Sequence, residues 1–278
     1  MRAETYGETL TKLKQMYDGY HFSKKMTDVY NPFSLVNAFD SSQLNDYWFA
    51  SGTSVAVVNL LSKMPQLQLT DVDGVSVPTT SFDMPFYSYD NPLPVLYQSG
   101  YLTIKSYRHD RDMYTLGFPN AEVRRGFAEC LYQYVTAAKG IDSNRNNFLN
   151  AYYDFRDTGD LDTFIEAIQT FFAGVPYLLD NHNERHYHAL LYTMLVAFGA
   201  DVVAEEPTAK GRADIILRMP LGIYVMEIKY NDKAASALAQ INKKGYAEKY
   251  RIDGRPVIKV GITFSSTERN ITEWEIEK

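Results

Sequence analysis

Gly211-Arg212-Ala213-Asp214, running into Ile215-Ile216-Leu217, and Ile223-Tyr224-Val225-Met226, running into Glu227-Ile228-Lys229, decide how this chain is read. Each is a short apolar run with charged residues at one end. Pro220-Leu221-Gly222 supplies a turn between them. Side chains alternate along a strand, so Glu227 and Lys229 share one face while Ile228 takes the other. With Asp214 heading the neighbouring strand, two carboxylates and an amine converge at one edge of a sheet. That is the make-up of a divalent-metal site with a lysine beside it. Mg2+ takes one or two carboxylates, waters and substrate phosphate in preference to a full protein cage. Such a metal lowers the pKa of its water and steadies charge on a phosphoryl oxygen. A nearby lysine orients that water or neutralises the crowded phosphate. Taken alone, the pattern also describes two solvated strand ends joined by a surface ion pair, so the flanking sequence has to decide.

Upstream, Tyr187, Leu190, Leu191, Met194, Leu195 and Phe198 follow helical spacing, and Gly199 closes that helix. Residues 200–205 read as a first strand. Downstream, residues 234–250 read as a helix bearing Leu238, Ile241, Gly245 and Tyr246. Gly254 and Pro256 end the following loop, and residues 257–264 form a last apolar strand. The expected order is helix, three strands, helix, strand.

This order, together with Glu184, the Gly211-Arg212-Ala213-Asp214 turn, the Glu227-Ile228-Lys229 strand, Gln240 and Lys244-Gly245-Tyr246-Ala247-Glu248-Lys249-Tyr250, resembles the PD-(D/E)XK nuclease superfamily over about residues 180 to 278. More narrowly, it is similar to the nuclease-like domain that follows an AAA-ATPase-like domain in many bacterial proteins. In the N-terminal half, Tyr17-Asp18-Gly19-Tyr20-His21-Phe22, Val29-Tyr30-Asn31-Pro32-Phe33-Ser34 and Tyr47-Trp48-Phe49-Ala50-Ser51-Gly52-Thr53 look like the closing segment of that ATPase-like domain. No Gly-x-x-x-x-Gly-Lys-Ser/Thr loop is present, so no ATPase activity is expected. Either the chain is a truncated piece or its gene lost the ATPase core.

The resemblance implies an α/β fold: a restriction-endonuclease-like αβββαβ core at 179–278, preceded by a mainly helical, winged-helix-like region at 1–178. It also implies metal-dependent phosphodiester hydrolysis, with Mg2+ or Mn2+ as cofactor and DNA, or alternatively RNA, as partner. Asp214 and Glu227 would hold the metal, with the Ile228 carbonyl as a backbone ligand. Lys229 would position or activate the water, and Glu184 would be a third catalytic acid, supported by His188 one helical turn on. Gln240 holds a phosphate or a water, or is a structural amide. Arg212 contacts phosphate, or pairs with Glu205 or Glu206, acids that could also join the site. Tyr246 packs on the sheet or brings its hydroxyl to the site. Lys244 clusters with Lys233, Lys243, Lys249 and Arg251 around one helix, either tracking a phosphate backbone or forming a solvated face.

Composition bounds these readings. A chain of 278 residues suggests about two domains. The mean hydropathy of −0.31 describes a globular protein, and no apolar run reaches a membrane span of roughly 18 residues. The first ten residues hold no signal core. Cys130 is the single cysteine, which rules out an intramolecular disulfide, points to a reducing cytoplasm and leaves no ribbon-type zinc site. His182 and His186 lie four apart, but the Glu between them is misplaced for a zinc-protease helix. The net charge of −6 argues against general nucleic-acid binding. It is uneven, however: residues 181–278 carry 14 Lys/Arg and 13 Asp/Glu, against 14 and 21 in the rest. The rival expectation is therefore a catalytically silent interaction module, binding a protein through the acidic N-terminal half, or a DNA-binding regulator. The oligomeric state is not legible.

In the middle of the chain, residues 92–100 read as a short helix. Residues 101–107 and 113–118 read as a hairpin, and 119–138 as a helix opened by Pro119 and Asn120. Helix plus hairpin suggests a wing, with Arg108, His109 and Arg111 at its tip. Two helices are expected around Thr158-Gly159-Asp160, and 65–92 reads as a long loop.

Overall fold

A computed structural model describes residues 5–49, 54–64, 67–83, 91–137, 142–175 and 183–278. In chain order its elements are α1 (Tyr6–Tyr17), α2 (Pro32–Ser41), α3 (Ser54–Lys63), β1 (Val75–Pro78), α4 (Leu93–Gln98), β2 (Thr103–Arg108), β3 (Met113–Gly117), α5 (Ala121–Ala137), α6 (Asp142–Thr158), α7 (Leu161–Gly174), α8 (Glu184–Ala197), β4 (Asp201–Thr208), β5 (Gly211–Met219), β6 (Gly222–Tyr230), α9 (Ala234–Lys244), β7 (Val257–Ser265) and β8 (Asn270–Glu277). The chain divides into two compact units, Met1–Leu131 and Tyr132–Lys278. The boundary expected at 178/179 falls outside the described residues, as do Ala50 to Thr53, Ala138 and His182.

In the first unit, local signals set the helix starts. Thr5 and Glu8 form a reciprocal capping box on α1. Asn31 caps α2 ahead of Pro32 at its first turn. An antiparallel sheet of order β1-β3-β2 follows. Part of the segment expected as a loop at 65–92 is in fact structured: Val75–Pro78 pairs with Met113–Leu116 across the hairpin. Its alternation is too short to stand out in sequence, and an edge strand owes its formation to the partner it finds. The hairpin tip is tied locally. Arg108 reaches Asp110 at 2.9 Å and the Tyr107 hydroxyl donates to Asp112 at 2.6 Å. Trp48, Tyr101, Phe118 and Phe127 build an aromatic core.

The second unit is a three-layer sandwich around a five-stranded sheet of order β4-β5-β6-β7-β8. All neighbours are antiparallel except β6 and β7, which run parallel and are joined by α9. Odd-numbered residues of β6 face α9, where Ile223 and Val225 pack with Ile216, Ile241 and Tyr246. Even-numbered ones face the other helices. Tyr224 meets Phe155 of α6, and Tyr230 stacks on Tyr187 of α8. Phe172 of α7 and Tyr187 clamp Phe264 of β7 from the same side. Helices α6 and α7 flank the Gly159 break as expected, with Asp160 capping α7.

Two expectations are corrected here. The helix expected over 234–250 stops at Lys244, because Gly245 adopts a left-handed conformation (φ +64) and caps it; a turn and a short 3-10 stretch at Glu248–Tyr250 follow. The sheet also does not end at residue 264. Asn270–Glu277 adds an edge strand, in which Glu273, Glu275 and Glu277 alternate with Trp274 and Ile276.

Candidate active site

The sheet forks where β5 leaves β6. The last ladder pair is Ile215 with Met226. One step beyond, the Ile228 amide N–H donates to Asp214 Oδ2 at 2.8 Å, so a side chain replaces the backbone ladder. Strand β6 remains paired with β7 as far as Tyr230, leaving Glu227 and Lys229 with one side open toward Asp214. His188 on α8 holds this point from behind, its Nε2 lying 2.8 Å from the Asp214 carbonyl oxygen. Ile228 thus enters the site through its N–H.

Glu227 is the centre of the arrangement. It is only 1% exposed. Its Oε1 accepts from Lys229 Nζ at 2.9 Å and from the Gln240 amide, while its Oε2 is buried with no partner. Gln240 Nε2 also lies 3.4 Å from the Tyr246 hydroxyl. Tyr246 is itself buried and seated against Gly211, where a Cβ would come within 2.9 Å of its hydroxyl. A backbone φ of +152 at Gly211 adds a second reason for glycine there.

The electrostatics follow from crowding. Burial pushes the Glu227 carboxyl up to about 7; Asp214 and Glu184 add to the rise and Lys229 opposes it. Asp214 is also raised, by burial first, against the pull of the Ile228 amide, His188 and Lys229. Glu184, the first residue of α8, is raised by desolvation, with Lys229 opposing and Asp214 adding. Burial works against the Lys229 ammonium, yet the Glu227 carboxylate, with Glu184 and Asp214, holds its pKa above the usual value. Three acids and one ammonium therefore share a region short of positive charge, a condition that a cation relieves.

Asp214, Glu227, Lys229, Glu184, Gln240, Ile228 and Tyr246 all take part in this connected region. Arg212 and Lys244 do not. Arg212 is exposed and pairs with Glu205 at 2.7 Å, and Lys244 is exposed in the last turn of α9. Lys249 pairs with Glu206 at 2.6 Å and Arg251 with Glu248 at 2.8 Å. The His188 ring hydrogen-bonds the Asp214 carbonyl oxygen and not Glu184, yet from one helical turn away it still pulls the Glu184 carboxyl down. A recess of about 480 Å3 lined by Leu221, Tyr224, Ile258 and Ile276 lies at the opposite end of the strands and contains none of the site acids.

Among the described residues, no three His, Cys, Asp or Glu side chains are gathered closely enough to cage a metal ion. The donor set nevertheless fits a metal of the Mg2+ type, which needs only one or two carboxylates and completes its shell with water. The unpartnered Glu227 Oε2 is an oxygen of that kind, with Asp214 across the fork.

Residues 182–274 match a family model described as the PD-(D/E)XK nuclease superfamily. A protein of Azotobacter chroococcum mcd 1, described as "Uncharacterized protein in vnfD 5'region", is 28% identical over 278 residues. That alignment covers 96% of this chain and 52% of the relative, so the chain spans about half of that protein's length. No solved structure matches.

Proposed function

We propose that the C-terminal unit is a divalent-metal-dependent nuclease that hydrolyses phosphodiester bonds, with DNA as substrate. The observation that carries this reading is the fork itself. Asp214, Glu227 and Lys229 meet where β5 leaves β6, and Glu227 keeps a buried oxygen without a partner. A Mg2+ or Mn2+ ion bound there would supply an acidified water and Lewis-acid stabilisation of the phosphoryl oxygens. Asp214 and Glu227 would hold it. Lys229, freed from Glu227, places its ammonium beside the attacked phosphate and stabilises negative charge as it builds there. Gln240, braced by Tyr246, keeps Glu227 oriented. Glu184 stands at the edge of the site as a proton acceptor.

The family match over residues 182–274 supports this reaction class. The resemblance of the N-terminal half to an AAA-ATPase-like closing segment, and of its hairpin to a wing, belongs to the same proposal. So does a cytoplasmic location, in keeping with the absence, among the described residues, of a helix long and apolar enough to cross a membrane. The rival reading is a silent module of the same fold. Lys229 and Gln240 both occupying Glu227 Oε1 favours it, because that arrangement satisfies the acid without a metal.

The deciding experiment is cleavage of single-stranded, duplex and branched DNA with Mg2+ or Mn2+, comparing wild type with Asp214→Ala and Lys229→Ala. Cleavage lost in both variants supports the enzyme and its site. A folded wild type that cuts none of them supports the silent module.

A further inference from the structure

Thr263 lies on β7 at the register position of Lys229 on β6. Residues at one register on neighbouring strands point to the same face, here the α9 face. Gly261, two residues earlier, confirms the direction: a Cβ there would come within 2.3 Å of the Ala234 carbonyl oxygen and 3.0 Å of the Ala237 Cβ. Thr263 is 4% exposed, and its Oγ1 is buried with no hydrogen-bond partner. That hydroxyl carries a desolvation cost that a valine of the same shape would avoid. The neighbouring strand is irregular at this point, because β8 carries an extra residue, Thr272, where its pairing shifts between Thr263 and Phe264. Irregularities of this kind re-aim side chains and occur beside active sites. The β8 partner of Thr263, Glu273, is already committed, accepting the Ala234 N–H at 2.9 Å.

We propose that Thr263 is a positioning residue for Lys229, its hydroxyl becoming the acceptor of the Lys229 ammonium when that ammonium leaves Glu227. This inference deepens the nuclease reading and rests on it. An ammonium has three protons to place, and Lys229 Nζ gives one to Glu227 Oε1, an oxygen that Gln240 also uses. When a cation draws the Glu227 carboxylate away, Lys229 needs another acceptor to stay at the fork. Thr263 Oγ1 offers a free lone pair on the same face, one strand over. Its own proton is then available to water or to a phosphate oxygen.

Two measurements test this. In the first, kcat and KM for DNA cleavage are compared for wild type, Thr263→Val and Thr263→Ser. We expect kcat to fall about tenfold in the valine variant with KM changed by less than roughly twofold, and the serine variant to recover most of the loss. A valine variant that matches wild type, or a serine variant as slow as valine, overturns the proposal. The second needs neither metal nor activity. The Lys229 side-chain NMR signal is followed in Glu227→Leu, which removes the first acceptor, and in the Glu227→Leu/Thr263→Val double variant. A restrained signal in the single variant that becomes that of a free surface lysine in the double supports the proposal, and identical signals overturn it. If wild type cuts no DNA, the nuclease reading fails and this second measurement alone decides the role of Thr263.

Discussion

Each unit of the chain buries a glutamate, and the two make an instructive pair. Glu122, in the first turn of α5, is fully buried. Its Oε1 accepts from the Ser34 hydroxyl at 2.9 Å and the Trp48 N–H at 2.8 Å, and its Oε2 has no partner. Glu227 has the same outline, one oxygen doubly bonded and one orphaned. Burial raises both carboxyls. The difference lies in the company. Glu122 is held by a neutral hydroxyl and a backbone amide at a helix start, where the dipole suits a carboxylate, and the acid that repels it, Asp46, is itself paired with Arg125. Glu227 is held by an ammonium and an amide, with Asp214 and Glu184 close enough to repel it, at a fork where a strand pair opens. A buried acid alone is thus not evidence of a site; several acids driven together with a lysine are.

The largest test of that contrast is cleavage. Asp214→Ala or Lys229→Ala should lower the rate by at least about a hundredfold, whereas Glu122→Gln should leave it unchanged in folded protein. Loss in Glu122→Gln at normal stability would break the distinction.

Metal binding comes next. A ligand bound only by the native state stabilises it by about 2.7 kcal/mol at a hundredfold excess over Kd. Thermal melts with Mg2+ or Mn2+ should show a rise in wild type and in Glu122→Gln, and none in Glu227→Gln. A rise of equal size in Glu227→Gln would remove that residue from the site.

The pH dependence sharpens the comparison further. Unfolded Glu227 ionises near the ordinary glutamate value of 4.5, while the folded residue keeps its proton to about 7. Between those values the native state binds more protons, so metal-free stability falls as pH rises. This contribution is fully present below 4.5 and lost by about 7. Melting temperature against pH should flatten across that window in Glu227→Gln. Glu122→Gln should flatten the profile as well, since its carboxyl is also raised, but added metal should cancel the slope only at Glu227.

The smallest effect belongs to Tyr246→Phe. It removes a long contact to Gln240 and should cost about 0.5–1 kcal/mol in chemical denaturation, with cleavage reduced only a few-fold. Gly211→Ala should cost more, because its Cβ would press on the Tyr246 hydroxyl. If the two rank the other way, Tyr246 does more than brace Gln240.

Much of the second unit was legible in residues alone. The helix, three strands, helix, strand order follows from apolar period and turn residues, and the alternation Glu227-Ile228-Lys229 alone puts the acid and the amine on one face. The end of α9 is marked by Gly245, although Tyr246 and Tyr250 beyond it keep a helical spacing that masks the stop. Strand β8 was legible as well, since Trp274 and Ile276 alternate with Glu273, Glu275 and Glu277, but its place as an edge beside β7 was not. Strand β1 was not, because four residues cannot announce a strand without the hairpin they pair with.

What the sequence by itself determined is therefore local: which residues form strands, where glycine and capping residues stop helices, and which side chains share a face. These follow from chirality, period and turn chemistry within a few residues of each other. What only the tertiary structure decided is pairing across distance. It showed that the Asp214 carboxylate replaces a ladder bond to Ile228, that the His188 ring hydrogen-bonds the Asp214 carbonyl oxygen, and that Arg212 turns to Glu205. It also showed that Glu227 and Thr263 each keep a buried oxygen unmet. Such outcomes depend on which groups are left without water once the layers close, and no run of neighbouring residues encodes that.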